Sequence, residues 1–462
     1  MSGPHPLSST SFAFRNLIYY PMARYQAGPV RRYKTVLEST QFQDRQRLLQ
    51  LQAERLRALL AHARSHVPYY VDRLPSPPMS DEPFEMLGAL PYLRKSELQA
   101  FPAELRSAAP LGRLTPKTTG GSTGEPVSIW KTRDAWAWEL AATWRGYGWA
   151  GVEVGDLQAR FWGVPQQAGA RFRARLIDAV CHRIRIPAFS FSERDMARYQ
   201  VVLKRRRPAY FYGYVSMLTE FARYLRSSGQ SLSYAPRAVI TTSEVLDSTD
   251  RELLRDTFGA PVYNEYGCGE LGTIAHECPD GCLHLNEENM VVEVCADDRR
   301  CLPGESGEIV VTELNNLAVP LVRYRTGDYG FIRPEPCSCG RSLAVLGGVH
   351  GRAYDFVRNR QGQMFHGEFI MYIFEDLRRR NLGVKQFQVE QTDLDRFVVR
   401  IVRATDYDVS CEAVITARIR EHVDSGAAVV FEYPDSFERE ASGKLRVVKG
   451  LGAPASHNGW GH

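Results

Sequence analysis

The chain has 462 residues, more than one ordinary domain needs, so two or three domains are expected. A hydrophobic fraction of 44%, a charged fraction of 24% and seven Trp, 22 Tyr and 21 Phe exclude a wholly disordered chain. The formal net charge of +5 is small for the length and demands neither a nucleic acid nor an anionic membrane as partner. The basic clusters Lys204-Arg205-Arg206-Arg207, Arg378-Arg379-Arg380 and Arg31-Arg32 with Lys34 read as solvated helix ends, where cations are favoured. No nucleic-acid motif surrounds them.

In chain order, residues 1–40 read as an N-terminal arm, because Met1 to Ser11 lacks the compact apolar core of a secretory signal. No run of about 18 apolar residues follows, so no membrane-spanning helix is expected. A cytoplasmic location is expected, with the nine cysteines reduced. Over residues 41–66, Leu48, Leu49, Leu51, Leu56, Leu59 and Leu60 recur at three- and four-residue spacings, the pattern of an amphipathic helix that Pro68 stops. The Pro-rich stretch from Leu74 to Pro83 reads as a loop before a second short helix. Farther on, short apolar runs alternate with helical patterns: strands at Ala238-Val239-Ile240, Pro261-Val262-Tyr263 and Met290 to Cys295, and a helix from Ser248 to Phe258. That alternation is an α/β signature. After Gly351-Arg352 the pattern becomes compact, with helices near Phe369 to Arg380 and Cys411 to Val423 and strands at Phe397 to Val402 and Ala428 to Tyr433. A boundary at 350/351 therefore divides a large domain, 1–350, from a small one, 351–462.

Thr118-Thr119-Gly120-Gly121-Ser122-Thr123-Gly124-Glu125-Pro126 could cradle a polyphosphate. Its glycines allow successive N–H groups to face one concavity, and its hydroxyls add donors. Alone it reads equally as a flexible turn, and it lacks the Gly-Lys-Ser/Thr ending of a Walker loop. The loop resembles the phosphate loop of the adenylate-forming ligases, and further motifs follow in that family's order. Tyr266-Gly267-Cys268-Gly269-Glu270 is similar to its Y-G-x-x-E element and Tyr324-Arg325-Thr326-Gly327-Asp328 to its Y-R-T-G-D element. Gly351-Arg352 resembles its hinge entry, and Ser442-Gly443-Lys444-Leu445-Arg446 its S-G-K-x-R loop. Pro336-Cys337-Ser338-Cys339-Gly340-Arg341 resembles the phenylacetate:CoA ligase group and its relatives named from capsule and coenzyme F390 synthesis.

This resemblance implies a large adenylating α/β domain with sheets and helices in layers, and a small mobile α+β lid domain that rotates at Arg352 to Asp355 between two half-reactions. It implies ATP and Mg²⁺, with Glu270 as the Mg²⁺ carboxylate, Lys444 as the cation for the attacking carboxylate and α-phosphate, and Arg352 beside them. Apart from the motifs, Lys444 would be an ordinary surface lysine. Asp328 suits the ribose hydroxyls. Asn264, Glu265, Tyr266 and Gly267 would wall the adenine, with Ser243 and Glu244 on its other side. Arg325 and Arg341, in a chain this rich in arginine, read as surface ion pairs. For the acid, Tyr147, Tyr212, Gly213 and Tyr214 could line an apolar slot, although aromatic residues are more often core.

Cys278-x3-Cys282 and Cys337-x-Cys339, with His276 and His284 flanking the first pair, could close a structural zinc site; unliganded cysteines are the alternative. Segment Arg358 to Glu368 departs from the Gly-containing stretch that CoA ligases of this branch carry, which leaves the acceptor open between CoA and an amine. His366 could then serve as a base. The expected partners are a small carboxylic acid and that acceptor, with no nucleic acid or membrane; a homodimer is allowed. A catalytically inactive nucleotide-binding protein is the competing reading, against which the intact Lys444, Glu270 and Asp328 argue.

Overall fold

A computed structural model describes residues 9–74, 82–118, 127–162, 168–187, 193–244, 246, 248–296, 299–350, 356–361, 364–366, 368–380, 382–435, 437 and 448–451. The fold is mixed α/β, as the alternation of patterns implies. An antiparallel hairpin comes first, β1 (Leu114–Thr118) with β2 (Ser128–Thr132). The main sheet then collects β3 (Gln158–Trp162), β4 (Arg183–Pro187), β5 (Tyr210–Tyr214), β6 (Ala238–Thr242) and β7 (Val262–Cys268) in parallel, in the order β4-β3-β5-β6-β7. Parallel neighbours need crossover connections. The helices Ala168–Val180, Glu193–Arg206, Val215–Ser227 and Ser248–Phe258 lie within them in sequence.

Beyond β7 the sheet turns antiparallel through β8 (Gly272–Glu277), β9 (Leu283–Leu285), β14 (Val345–His350), β13 (Tyr324–Ile332), β12 (Gly307–Glu313), β10 (Met290–Ala296) and β11 (Arg299–Arg300). The strand β13 that carries Tyr324 to Asp328 is thus in the same sheet as β7, which carries Tyr266.

The leucine-spaced helix forms over Arg45–His66, and the Asp44 side chain caps it by accepting from the Gln46 N–H at 2.8 Å. Leu48, Leu56, Leu59 and Leu60 are buried, whereas Leu49 and Leu51 are only partly covered. Residues 9–40 differ from the expected arm. They are largely helical, and the helix Val30–Thr40 packs on the helix Arg133–Trp149 with the Tyr33 and Trp138 rings stacked 4.0 Å apart. Buried polar contacts hold it there: Arg145 donates to the Leu37 carbonyl and to Glu288, and the Thr40 hydroxyl donates to Glu288.

A second network fixes the β1/β2 hairpin. Lys131 on β2 is buried and donates to Glu139 at 2.8 Å, to Glu313 at the end of β12 at 2.6 Å and to the Leu271 carbonyl at 3.3 Å. Lys117 on β1 also reaches Glu139, at 2.5 Å. Gly272, at φ +86°, makes room for this carboxyl, since a Cβ there would lie 2.5 Å from it.

Residues from Val357 to Val448 bury a hydrophobic cluster of their own, centred on Phe374 and Phe387, whose rings stack 3.7 Å apart. It lies under a four-stranded sheet, β19 (Ala428–Glu432), β18 (Arg396–Arg403), β17 (Val384–Asp393) and β20 (Val448–Lys449), with the helices Glu368–Arg379 and Ser410–His422. The hairpin β15 (Phe356–Arg358) with β16 (Met364–His366) precedes it.

Burial opposes charge on Glu139, but Lys117 and Lys131 more than offset it and lower its pKa from 4.5 to about 2. The stability this depressed pKa contributes is therefore present above pH 4.5 and is lost as pH falls toward 2. Removing one partner of a buried ion cluster costs about 3–5 kcal/mol. Glu139→Gln should accordingly melt well below the parent protein at pH 7, with the gap closing between pH 4.5 and 2 in circular-dichroism melts. A gap constant with pH would contradict the network.

Candidate active site

Several of the expected site residues lie on or just beyond β5, β6 and β7, and ligands of open α/β sheets bind at such carboxyl ends of strands. Tyr266 and Asp328, 62 residues apart, meet there: the Tyr266 hydroxyl donates to Asp328 Oδ2 at 3.0 Å. Thr326 orients Asp328 by accepting from its backbone N–H at 3.1 Å while donating to the Ile309 carbonyl at 2.9 Å. Glu270, in the turn after β7, is buried with its carboxylate 3.5 Å from the Lys95 ammonium. A buried carboxylate oxygen at this edge is a donor that suits Mg²⁺.

Adjacent residues of a strand point to opposite faces, and β7 uses this. Tyr266 faces Asp328, whereas Glu265 points into the layer beneath the helix Arg133–Trp149. There Glu265 Oε1 accepts from the Tyr212 hydroxyl at 3.1 Å and from Thr242 at 3.3 Å. The side chain of Glu265 is therefore on the face away from Tyr266, not beside it on an adenine wall. Its second oxygen lies 3.6 Å from His276 Nε2, and neither atom has a hydrogen-bond partner among the described residues. Burial raises the Glu265 pKa to about 7 and lowers that of His276 to about 3, so His276 is neutral at pH 7 and the two do not form an ion pair.

Tyr147, Tyr212 and Tyr214 are all buried around this point. Tyr147 lies 5.7 Å from Tyr212 and edge-on to His276 at 5.6 Å, and Trp162 is 4.3 Å from Tyr214. Arg160 lies 5.0 Å above the Tyr212 ring. Gly213 is within β5 between the two tyrosines. Ser243, just past β6, is exposed and held at φ +69°, a conformation that non-glycine residues adopt at a cost and that clusters at functional sites. Glu244 beside it is partly exposed. Asn264 is partly buried, its backbone N–H donating to Glu277 at 2.7 Å.

Arg325 pairs with Glu308 at 2.7 Å, and Arg341 donates to Gln41 while lying 4.6 Å above the Trp149 ring, so both serve the scaffold. Thr118 closes β1, but its side chain and residues 119 to 124, with Arg352 and Lys444, lie outside the described residues. His366 ends β16 opposite Phe356.

The cysteine segments also meet. The ligand atoms of Cys278, His284, Cys337 and Cys339 all lie within 4.8 Å of one another. Cys282, expected as a ligand, is outside this quartet; its sulfur accepts from Arg333 at 3.2 Å. Sequence reasoning did not single out Lys131, Glu139 and Glu313, because their partnership spans up to 182 residues and no local pattern marks it.

Residues 357–450 match the family model of the CapK C-terminal domain. Protein CapK of Staphylococcus aureus is 25% identical over 228 residues, 49% of this chain and 49% of that protein. The phenylacetate-coenzyme A ligase of Thermus thermophilus is 26% identical over 328 residues, 68% of this chain and 72% of that enzyme. Among solved structures, 2-hydroxyisobutyryl-CoA ligase in complex with 2-HIB-AMP and CoA in the thioesterification state superimposes with a TM-score of 0.54 at 18% identity, covering 97% of this chain and 94% of that one. The chain has the fold of the adenylate-forming CoA ligases. In sequence it is similar to phenylacetate-CoA ligase and CapK, the group its motifs resemble.

The buried His276 ring tests the placement of the helix above it. A Cβ added to Gly146 would lie 2.1 Å from that ring. Alanine ordinarily stabilises a helix over glycine by about 0.5–1 kcal/mol. Here Gly146→Ala should instead destabilise by about 1–3 kcal/mol through overpacking. Urea unfolding measures it, and a stabilised variant would place His276 elsewhere.

Proposed function

We propose that this protein joins a carboxylic acid to ATP as an acyl-adenylate and then passes the acyl group to CoA. The observation that carries the proposal is the meeting of Tyr266 and Asp328, from two separated motifs, with buried Glu270 in the turn that follows the tyrosine's strand. The phenylacetate-CoA ligases among its relatives and the CoA ligase structures that share its fold support the same reading.

In the first half-reaction a carboxylate oxygen of the acid attacks the α-phosphorus, the bond from that phosphorus to the bridging oxygen breaks, and pyrophosphate leaves. Two anions must approach each other, so the site has to supply positive charge and donors where charge develops. The 118–124 segment supplies donors to the phosphates, and Lys444 brings a cation to the carboxylate and α-phosphate, with Arg352 at the hinge. Glu270 would hold Mg²⁺, which when bound neutralises phosphate charge. Asp328, oriented by Thr326, accepts from the ribose hydroxyls. The Tyr266 ring, fixed through its hydroxyl, forms one wall for the adenine, with Gly267, Asn264, Ser243 and Glu244 around it. Tyr147, Tyr212, Gly213 and Tyr214 bound the acid; an aryl acid suits such walls. In the second half-reaction the CoA sulfur attacks the acyl carbon, AMP leaves with the bonding pair and the thiol proton is lost. The separate core of residues 357–448 supports a lid domain from 351 that turns between the two steps. The cytoplasm, which holds both ATP and CoA, is its proposed location.

An ATP-dependent pyrophosphate-release assay over a panel of aryl and short acyl acids, each with and without CoA, tests the proposal. Release with some acids and its acceleration by CoA are expected. Release accelerated by an amine but not by CoA would replace thioester with amide formation, and silence across the panel would overturn acid activation. Lys444→Ala should lower turnover by about 10²-fold or more while leaving ATP affinity within a few fold, as for a group acting mainly in the transition state. Equal loss of binding and turnover would contradict that role.

A further inference from the structure

Four ligand atoms from two distant segments face one point beside the antiparallel half of the main sheet. Cys278 follows β8, His284 is in β9, and Cys337 and Cys339 lie in the connection between β13 and β14. The sulfurs of Cys278 and Cys337 are 3.7 Å apart, and Cys339 Sγ is 3.2 Å from His284 Nε2. Bonds of about 2.3 Å to sulfur and about 2.0 Å to nitrogen in a tetrahedron place two sulfurs about 3.8 Å apart and a sulfur and a nitrogen about 3.5 Å apart. The two observed spacings are close to these values, and the remaining pairs lie within 4.8 Å, near enough for one tetrahedral centre to draw together.

His284 is prepared for this role. Its Nδ1 lies 3.0 Å from the Leu343 carbonyl, an acceptor only, so Nδ1 carries the proton and Nε2 presents its lone pair to the cysteines. His284 is fully buried and Trp149 stands edge-on to it at 5.7 Å, which fixes the ring plane. Cys282 completes C-x3-C in the sequence but not in space. Its sulfur instead accepts from Arg333 at 3.2 Å, so it serves as an outer contact.

We propose that Cys278, Cys337, Cys339 and His284 hold one zinc ion in a closed S₃N site, with Cys282 outside the coordination sphere. Three thiolates and one neutral imidazole are the donor set zinc takes in structural sites, and four protein ligands leave no position for substrate. On binding, each of the three thiols gives up its proton to solvent, so the ion replaces three S–H groups with three Zn–S bonds. The ion would cross-link β8 and β9 to the connection that follows β13. Since β8 pairs with β7 and β13 carries Asp328, it would brace the two strands on which Tyr266 and Asp328 meet.

Metal analysis of the full chain purified without added metal should find one zinc per chain, and X-ray absorption at the zinc edge should fit three sulfurs and one nitrogen. The Cys282→Ser variant should retain zinc at parental stoichiometry, while His284→Ala should lose it at least tenfold more readily to a chelator. A fit to four sulfurs, with zinc lost from Cys282→Ser and kept by His284→Ala, would overturn the assignment in favour of the cysteine pairs. Absence of zinc that persists after reconstitution of the reduced protein with zinc would overturn the site itself. The spectrum of the unsubstituted protein distinguishes the two ligand sets even where a variant fails to fold.

Discussion

A lysine ammonium buried between two glutamates is the constraint on which the edge proposed for catalysis depends. Lys131 cannot be left alone in the interior, because an unpaired buried charge costs several kcal/mol. Its hydrogen bonds therefore have to be satisfied together by Glu139 from the helix Arg133–Trp149, Glu313 from β12 and the Leu271 carbonyl. These partners fix the hairpin flanking residues 119–126 against the turn that holds Glu270. One charge cluster thus ties strands β1 and β2 to the turn that holds Glu270. Hydrophobic contacts alone would leave a hairpin with five-residue strands free to slide, since they carry little directional information.

The same logic extends through the layer. Arg145 is fully buried and donates through its two terminal nitrogens to Glu288, Asn286 and the Leu37 carbonyl, tying the N-terminal helices to the loop before β10. On the sheet itself, the alternation of β7 separates two environments with a single step along the chain. Tyr266 looks toward the Asp328 side, and Glu265 looks toward Tyr212, Thr242 and neutral His276. A buried carboxyl with its pKa raised to about 7 beside Tyr212 and Tyr147 makes that second environment more polar than an all-aromatic slot.

Much of this was legible in the sequence. The leucine pattern over residues 41–66 gave a helix that ends where the structure ends it, at His66, but starts four residues later, at Arg45, and the helix read from Ser248 to Phe258 has the same bounds in the structure. Tyr266 and Asp328, singled out in separate motifs, prove to be in contact. Residues 9–40 were less readable, since the buried side of Val30–Thr40 includes Lys34 and Thr40 as well as Val30 and Leu37, and polar residues with remote partners do not form an apolar stripe. Spacing also pairs Cys278 with Cys282, whereas the register of β8 with β9 and of β9 with β14 brings His284 to the other cysteines. Register is a long-range property that short motifs do not encode.

The proposed reaction depends on an enzyme-bound acyl-adenylate, and acid-dependent exchange of labelled pyrophosphate into ATP, run without CoA, reports that intermediate directly. Exchange that requires both Mg²⁺ and a carboxylic acid, and that disappears in Asp328→Ala, is the predicted result. Thioester formed from ATP, acid and CoA without any such exchange, and with ADP and phosphate as products, would contradict it.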